Sequence, residues 1–156
     1  MKKPFVLLAK KSAIDPQTEQ RDSATTAVYK VGDSYGVNGR KGVVFAVSSD
    51  GKHGVIVSFE QWQCGWDEAK MRCEELGDGW RLPTIQELQM LYALKEDQEF
   101  VTALRVAGCP QMGNGSYWSG DDGDGSCCAW NLSMYYGSSF NPPKYYHNSV
   151  RAVAEF

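Results

Sequence analysis

The chain has 156 residues, 42% of them hydrophobic and 22% charged, with a formal net charge of −3 and a pI near 5.4. That length is one ordinary domain, and that composition excludes a disordered tail or a repeat array. There is no excess of Lys and Arg to neutralise phosphates, which argues against nucleic acid and anionic membranes as partners.

Met1-Lys2-Lys3-Pro4 begins like a secretory signal, but the apolar run Phe5 to Ala9 ends at Lys10 and Lys11. A signal core needs about 7–15 apolar residues, and no stretch approaches the ~18 of a transmembrane helix. Residues 1–28 read as a leader or linker, and 29–156 as the compact domain.

From Tyr35 to Phe59 the chain reads as strands. The β-rich runs 42–47 and 54–58 flank Ser48 to Lys52, where Asp50-Gly51 signals a hairpin turn. Trp66, Ala69, Cys73 and Leu76 recur at helical spacing and predict a helix over 66–76, ended by Gly77 in a left-handed cap. Thr84 and Glu87 form a capping box ahead of Ile85, Leu88, Leu91 and Tyr92, which predicts a second helix over 85–94. A third helix is expected over 96–107, with Phe100, Val101 and Leu104 packing, before Gly108 and Pro110 stop it. Beyond Gly113, short strands are expected at 116–119, 129–134 and 150–156. Strands, then helices, then strands imply an α+β domain.

Cys64, Cys73, Cys109, Cys127 and Cys128, with His53 and His147, show no paired metal-ligand spacing. No metal and no cofactor is expected, and Cys64, Cys73 and Cys109 read as buried free thiols. Cys127-Cys128 is open to two chemical readings, a vicinal disulfide or a reactive thiol, and the preferred account of the pair is that both are chance products of mutagenesis in a diversified loop. A cysteine nucleophile would need a base such as His147, and nothing in the spacing brings the two together, so no catalytic residue is expected. Asp121, Asp122 and Asp124 place three carboxylates within four residues, but no Glu completes a calcium loop, and a solvated acidic loop is the expectation.

The segment 120–149 has its own vocabulary. It holds no Glu, no Gln and one Lys, whereas residues 1–119 hold 8 Glu, 8 Gln and 9 Lys. Turns favour Gly, Ser, Asp and Asn over long charged side chains, which explains part of the deficit. The admixture of Cys, Tyr, His and Phe is explained less well by turns. An Asn codon randomised at its two adenines reaches Asn, Asp, His, Tyr, Ser, Gly, Cys and Phe, but never Glu, Gln, Lys, Met or Trp. Only Trp130, Met134 and Lys144 fall outside the reachable set. This is the pattern that adenine-directed mutagenesis leaves.

Gly79-Trp80-Arg81-Leu82-Pro83-Thr84 with Glu87-Leu88, then Tyr117-Trp118-Ser119, Ala129-Trp130-Asn131 and Val150-Arg151-Ala152-Val153, carry a resemblance over about 35–156. In this order they resemble the bacterial and phage C-type-lectin-fold domains that include the variable proteins of diversity-generating retroelements. The resemblance implies a C-type-lectin-like α+β fold. It also implies a gene whose 3′ end receives adenine-directed errors through reverse transcription, and a diversified ligand-binding surface displayed on a cell or virion. Related domains often bridge a last-strand Cys to one on the first helix; here Ala152 stands opposite Cys73, which implies a scaffold without that disulfide. The calcium triplets of sugar-binding animal lectins are absent, since Leu132 follows Trp130-Asn131.

The expected ligand-binding residues are Gly120, Asp121, Asp122, Asp124, Ser126, Cys127, Cys128, Tyr135, Tyr136, Ser138, Phe140, Asn141, Tyr145, Tyr146, His147 and Asn148, on loops of 120–149. Tyr and Phe offer large contact area at low entropic cost, and Ser, Gly and Asn adaptable hydrogen bonds; the bland alternative is that half the aromatics pack beneath the loops. The expected partner is a protein or glycan on a cell surface, with homo-oligomerisation open. The alternative is a fixed structural or adhesin subunit of the same fold. Trp80, Leu82, Trp118, Trp130 and Arg151 read as scaffold, with Arg151 alternating outward from Val150 and Ala152 toward a carboxylate.

Overall fold

The computed structural model describes residues 27–123 and 126–156. Within them, three helices pack on a seven-stranded sheet. The strands are β1 (Ser34–Val37), β2 (Arg40–Val47), β3 (Gly54–Cys64), β4 (Ser116–Asp122), β5 (Ala129–Ser133), β6 (Ser139–Phe140) and β7 (Asn148–Glu155). They lie in the order β1-β2-β3-β7-β4-β5-β6. All neighbours are antiparallel except β4 and β7.

The helices form where local chemistry demands them. The first, α1 (Trp66–Glu75), gives way to Gly77 at φ 125°, a backbone conformation that disfavours residues with a side chain. For α2 (Ile85–Leu94), the Thr84 hydroxyl accepts from the Glu87 N–H while the Glu87 carboxylate accepts from the Thr84 N–H. The third, α3 (Gln98–Ala107), starts two residues later than the spacing suggested, because the Asp97 side chain accepts from the Phe100 N–H and caps it there. Gly108 closes it in the left-handed region.

Both faces of the sheet are covered, and strand alternation sorts the core into two layers. Val43, Phe45, Val57, Tyr117, Leu132 and Val153 pack against Leu88 and Leu91 of α2 and Phe100 and Leu104 of α3. Val44, Ile56, Trp118, Ala129, Val150, Ala152 and Ala154 pack against Trp66, Ala69 and Cys73 of α1, with Trp80 and Leu82 beside them. Ala46 joins the layer of Val43 and Phe45 rather than that of Val44 because the β2–β3 register slips between Val44 and Ala46. Trp130 alone among the expected scaffold residues is only half-buried. The strand β3 runs well past Ser58, through Glu60, Gln61 and Gln63. Its pairing with β7, rather than any apolar pattern of its own, holds that polar half in the sheet.

Arg151 does not face outward. Alternation does send it to the face opposite Val150 and Ala152, but the loop after α3 covers that face. Its guanidinium is fully buried. It donates to the Ser58 carbonyl through Nε and Nη2 (3.0 and 2.7 Å), and through Nη1 to the Pro110 carbonyl (3.0 Å) and Gln61 Oε1 (3.2 Å). Its bonded partners are carbonyl, amide and sulfur atoms rather than a carboxylate.

Arg81 and Glu87 tie the segment before α2 to the helix. Two parallel bonds join guanidinium and carboxylate (2.8 and 2.9 Å), and Glu155 takes a third (3.0 Å). Burial works against ionisation of Glu87, but the Arg81 donors and the Thr84 N–H outweigh it and hold the carboxyl below its ordinary value. A carboxyl lowered in the folded state adds stability above its unfolded pKa and loses it as pH falls through the folded one. Unfolding in urea at about pH 7 and about pH 3 is therefore expected to show a larger acid-induced loss for the wild type than for Glu87→Gln. Equal losses would show that the pair contributes nothing.

Candidate functional site

The sheet forks at the C-terminal third of the chain. Strands β4 and β7 are paired at Tyr117 and Ser149, but further along, residues 81–83 lie between them. Arg81 bridges Val153 on β7, and the Gly120 N–H donates to the Pro83 carbonyl (2.8 Å). The fork opens a cleft of about 480 Å³ lined by Lys70 and Glu74 of α1, by Trp80, Arg81, Leu82 and Thr84, by Gly120 and Asp121, and by Glu155.

Residues 120–122 belong to β4 and are not part of an acidic loop. Successive side chains on a strand point to opposite faces, so the carboxylates of Asp121 and Asp122 diverge. Asp121 accepts from the Ile85 N–H at the start of α2 (3.1 Å), and Asp122 pairs with Lys144 (3.2 Å). Asp124 lies outside the described residues. Among the described residues no group of three His, Cys, Asp or Glu is placed to hold a metal ion. The Lys144 ammonium lies 4.4 Å from the centre of the Trp66 ring, and that of Lys70 4.1 Å from it. Trp66 is held in turn by its indole N–H on the Ser119 carbonyl (2.8 Å).

The expected loops of 120–149 are partly sheet, since β5 and β6 lie inside the segment and pair at Asn131–Phe140 and Leu132–Ser139. What remains as turns is well anchored. After β5 the Ser133 hydroxyl accepts from the N–H groups of Tyr135 and Tyr136 (3.2 and 3.1 Å). Gly137, at φ 77°, turns the chain so close to the Tyr92 ring that a side chain there would collide with it. Further on, the Trp66 N–H donates to the Lys144 carbonyl (2.9 Å), and the Tyr146 N–H to that of Pro143 (3.1 Å).

The aromatics on these turns do not pack beneath them. Tyr135, Tyr136 and Tyr145 are 65%, 72% and 78% exposed, and Phe140 and Tyr146 are each 50% exposed. Tyr135 and Tyr136 meet edge to face at 4.8 Å, as do Tyr145 and Tyr146 at 5.4 Å. Gly120, Ser126, Cys127, Ser138 and His147 are also exposed. Asn141 and Asn148 are half-buried, and Asn141 Oδ1 and Asn148 Nδ2 are buried without a hydrogen-bond partner among the described residues. Asn141 Oδ1 fills the space that a side chain at Gly123 would need.

Cys127 and Cys128 are joined by a disulfide, the first of the two readings their adjacency left open. Cys64, Cys73 and Cys109 are buried free thiols, as expected. Cys73 shares the α1 layer with Ala152, and burial pushes its thiol up to about 12.

Lys70, Glu74 and Glu155 of the cleft carried no signal in the chain, because a helix and a distant strand bring them together. Arg81 was visible only as part of the Trp-Arg-Leu-Pro-Thr block.

A family model described as the Lcl C-terminal domain matches residues 37–154. The chain has the α+β architecture expected of it. Among solved structures it is similar to botrocetin, at 16% identity over 69% of this chain and 93% of that one, with a TM-score of 0.43. A chain of the complex of botrocetin with a mutant von Willebrand factor A1 domain is 14% identical over 70% and 95%, with a TM-score of 0.42. No curated protein matches the chain.

Proposed function

We propose, since this chain belongs to the Lcl C-terminal domain family, that it is a ligand-binding protein whose partner is met by the surface of residues 120–149. One observation carries this reading: five large aromatic side chains stand exposed, four on short turns and Phe140 on β6, along backbone that is bonded to a two-sided core. Leaving that much ring surface in water is unfavourable for a free-standing domain, and a partner that covers it recovers the loss. Tyr suits the task, since it combines area, few rotatable bonds and a polar tip. The partner is a protein or glycan on a cell surface, and the role is that of a receptor-binding or adhesin-type protein. The depletion of Glu, Gln and Lys across 120–149 supports diversification of this surface.

Binding to whole cells, followed by flow cytometry with a labelled protein, tests the reading once a responsive cell type is found. Tyr135→Ser with Tyr136→Ser, and separately Tyr145→Ser with Tyr146→Ser, are expected to weaken binding tenfold or more for at least one pair, with Tm moved by less than about 2 °C. Undiminished binding by both would overturn the assignment of this surface. Gene sequences from several isolates test diversification: differences are expected at adenine-templated codons of 120–149, and an even scatter along the gene would leave a fixed adhesin subunit.

A further inference from the structure

The cleft in the forked sheet has a chemistry that the aromatic surface does not share. Its volume of about 480 Å³ lies within the roughly 300–1,000 Å³ of pockets that hold small ligands. Two kinds of group line it. Trp80 and Leu82 are apolar and all but buried. Beside them stand carboxylates from three separate elements, Glu74 of α1, Asp121 of β4 and Glu155 of β7. Asp121 accepts from the Ile85 N–H through Oδ2, and Glu155 accepts from Arg81 through Oε2, which leaves each a second oxygen. Glu74 stands exposed one helical turn beyond Lys70, on the same side of α1.

The cations of the lining do not balance these charges. Arg81 is already matched by the two-bonded Glu87 carboxylate, which is not part of the lining. Lys70 holds its ammonium 4.1 Å from the centre of the Trp66 ring. Three carboxylates therefore share one unmatched cation, and the cleft presents a surplus of negative charge next to apolar surface. Gly120 adds room, since a Cβ there would meet Leu82 only at an ordinary 3.6 Å.

We propose that this cleft is a pocket for an arginine side chain presented by a protein partner. The methylene stem of an arginine covers apolar surface such as that of Trp80 and Leu82 while its head stays among the charges. Its planar fork of five N–H donors bonds to carboxylates arriving from different sides, whereas lysine concentrates its donors at one atom. An anionic ligand meets like charges here, and a purely apolar one strips water from carboxylates without replacing it. Gly120 and Asp121 open the segment 120–149, so the pocket gives the proposed binding surface a charged anchor. That the arginine belongs to a protein partner rests on the proposed function; the preference of the cleft for a guanidinium does not.

Titration of the folded full chain with N-acetylarginine methylamide, followed by backbone amide NMR shifts, tests the pocket without a partner. Saturable shifts are expected at Glu74, Leu82, Gly120 and Asp121, with a Kd of about 1–10 mM. The citrulline analogue has the same shape without the charge and is expected to bind at least about tenfold more weakly. Glu74→Gln with Glu155→Gln is expected to weaken the arginine analogue by about tenfold. Gly120→Leu is expected to abolish its shifts, with Tm moved by less than about 2 °C. Should that variant fail to fold, the carboxylate variants, which change charge and not shape, decide the matter. Citrulline binding as tight as arginine binding would overturn the proposal. So would no saturation by about 50 mM, or undiminished affinity in the carboxylate double variant. None of these readouts involves cells or the tyrosines, so the pocket and the aromatic surface fail separately.

Discussion

Replacing Arg151 with methionine is expected to lower the unfolding free energy by about 3 kcal/mol, read from urea denaturation at neutral pH. The value comes from two opposed effects. Burial of a guanidinium without a carboxylate is costly, and it lowers the pKa of the group, so removing the charge relieves several kcal/mol. Against that, the side chain satisfies the Ser58 carbonyl twice, the Pro110 carbonyl and Gln61 Oε1. Each buried acceptor left without a donor costs about 1–3 kcal/mol. The three bonds lost at the Ser58 and Pro110 carbonyls outweigh one relieved charge, while Gln61 Oε1 keeps the Tyr117 hydroxyl.

The position of Ser58 explains why an arginine is needed there. The β3–β7 register slips between Val57 and Gln61, and Ser58 has no partner in that ladder. The Ser58 hydroxyl accepts from the Ala152 N–H (3.1 Å) and repairs one side of the bulge, and Arg151 repairs the other. Gln61 extends the repair to the Tyr117 hydroxyl (3.0 Å), which itself accepts from the Gly113 N–H (2.9 Å). Arg151→Lys keeps the charge but concentrates its donors at one atom that cannot reach all these acceptors, so it is expected to lose about half as much as methionine. A methionine variant within about 0.5 kcal/mol of the wild type would show that water can replace the guanidinium.

Trp118→Ala is expected to destabilise the chain by about 4 kcal/mol and lower Tm by roughly 8–16 °C. The indole is wholly buried in the α1 layer, and its N–H donates to the Cys64 carbonyl (2.9 Å) at the end of β3. Truncation leaves both a cavity and an unpaired carbonyl. Trp118→Phe keeps most of the volume and loses only the bond, for which about 2 kcal/mol is expected. Thermal unfolding of the two variants separates packing from the hydrogen bond, and equal losses would assign the whole effect to the bond.

Features governed by a few neighbouring residues were legible in the chain. The Thr84–Glu87 box, the left-handed close at Gly108 and the turn at Asp50-Gly51 each depend on residues within about four positions, so spacing alone locates them. Asp97 is as local, and its cap sets the start of α3 two residues beyond the expected one. In the candidate site, the Tyr-rich segment was visible as a change of vocabulary, but whether its rings were covered was not, since covering is done by distant elements. Arg151 shows the same limit. Its alternation from Val150 is legible in the chain, but the face it reaches is covered rather than solvated, because the loop from Cys109 to Met112 lies over it.

The order of elements, their caps and the apolar alternation that fills two core layers were thus determined by the sequence itself, through short-range sterics and hydrogen bonding. Only the tertiary structure decided which face is covered, that residues 81–83 split β4 from β7 to open a cleft, and that the aromatics of 135–146 stand in solvent. Those outcomes depend on contacts between residues such as Ser58 and Arg151 or Trp66 and Ser119, far apart in the chain. No local pattern records such a contact, because its free energy exists only after the intervening chain has folded.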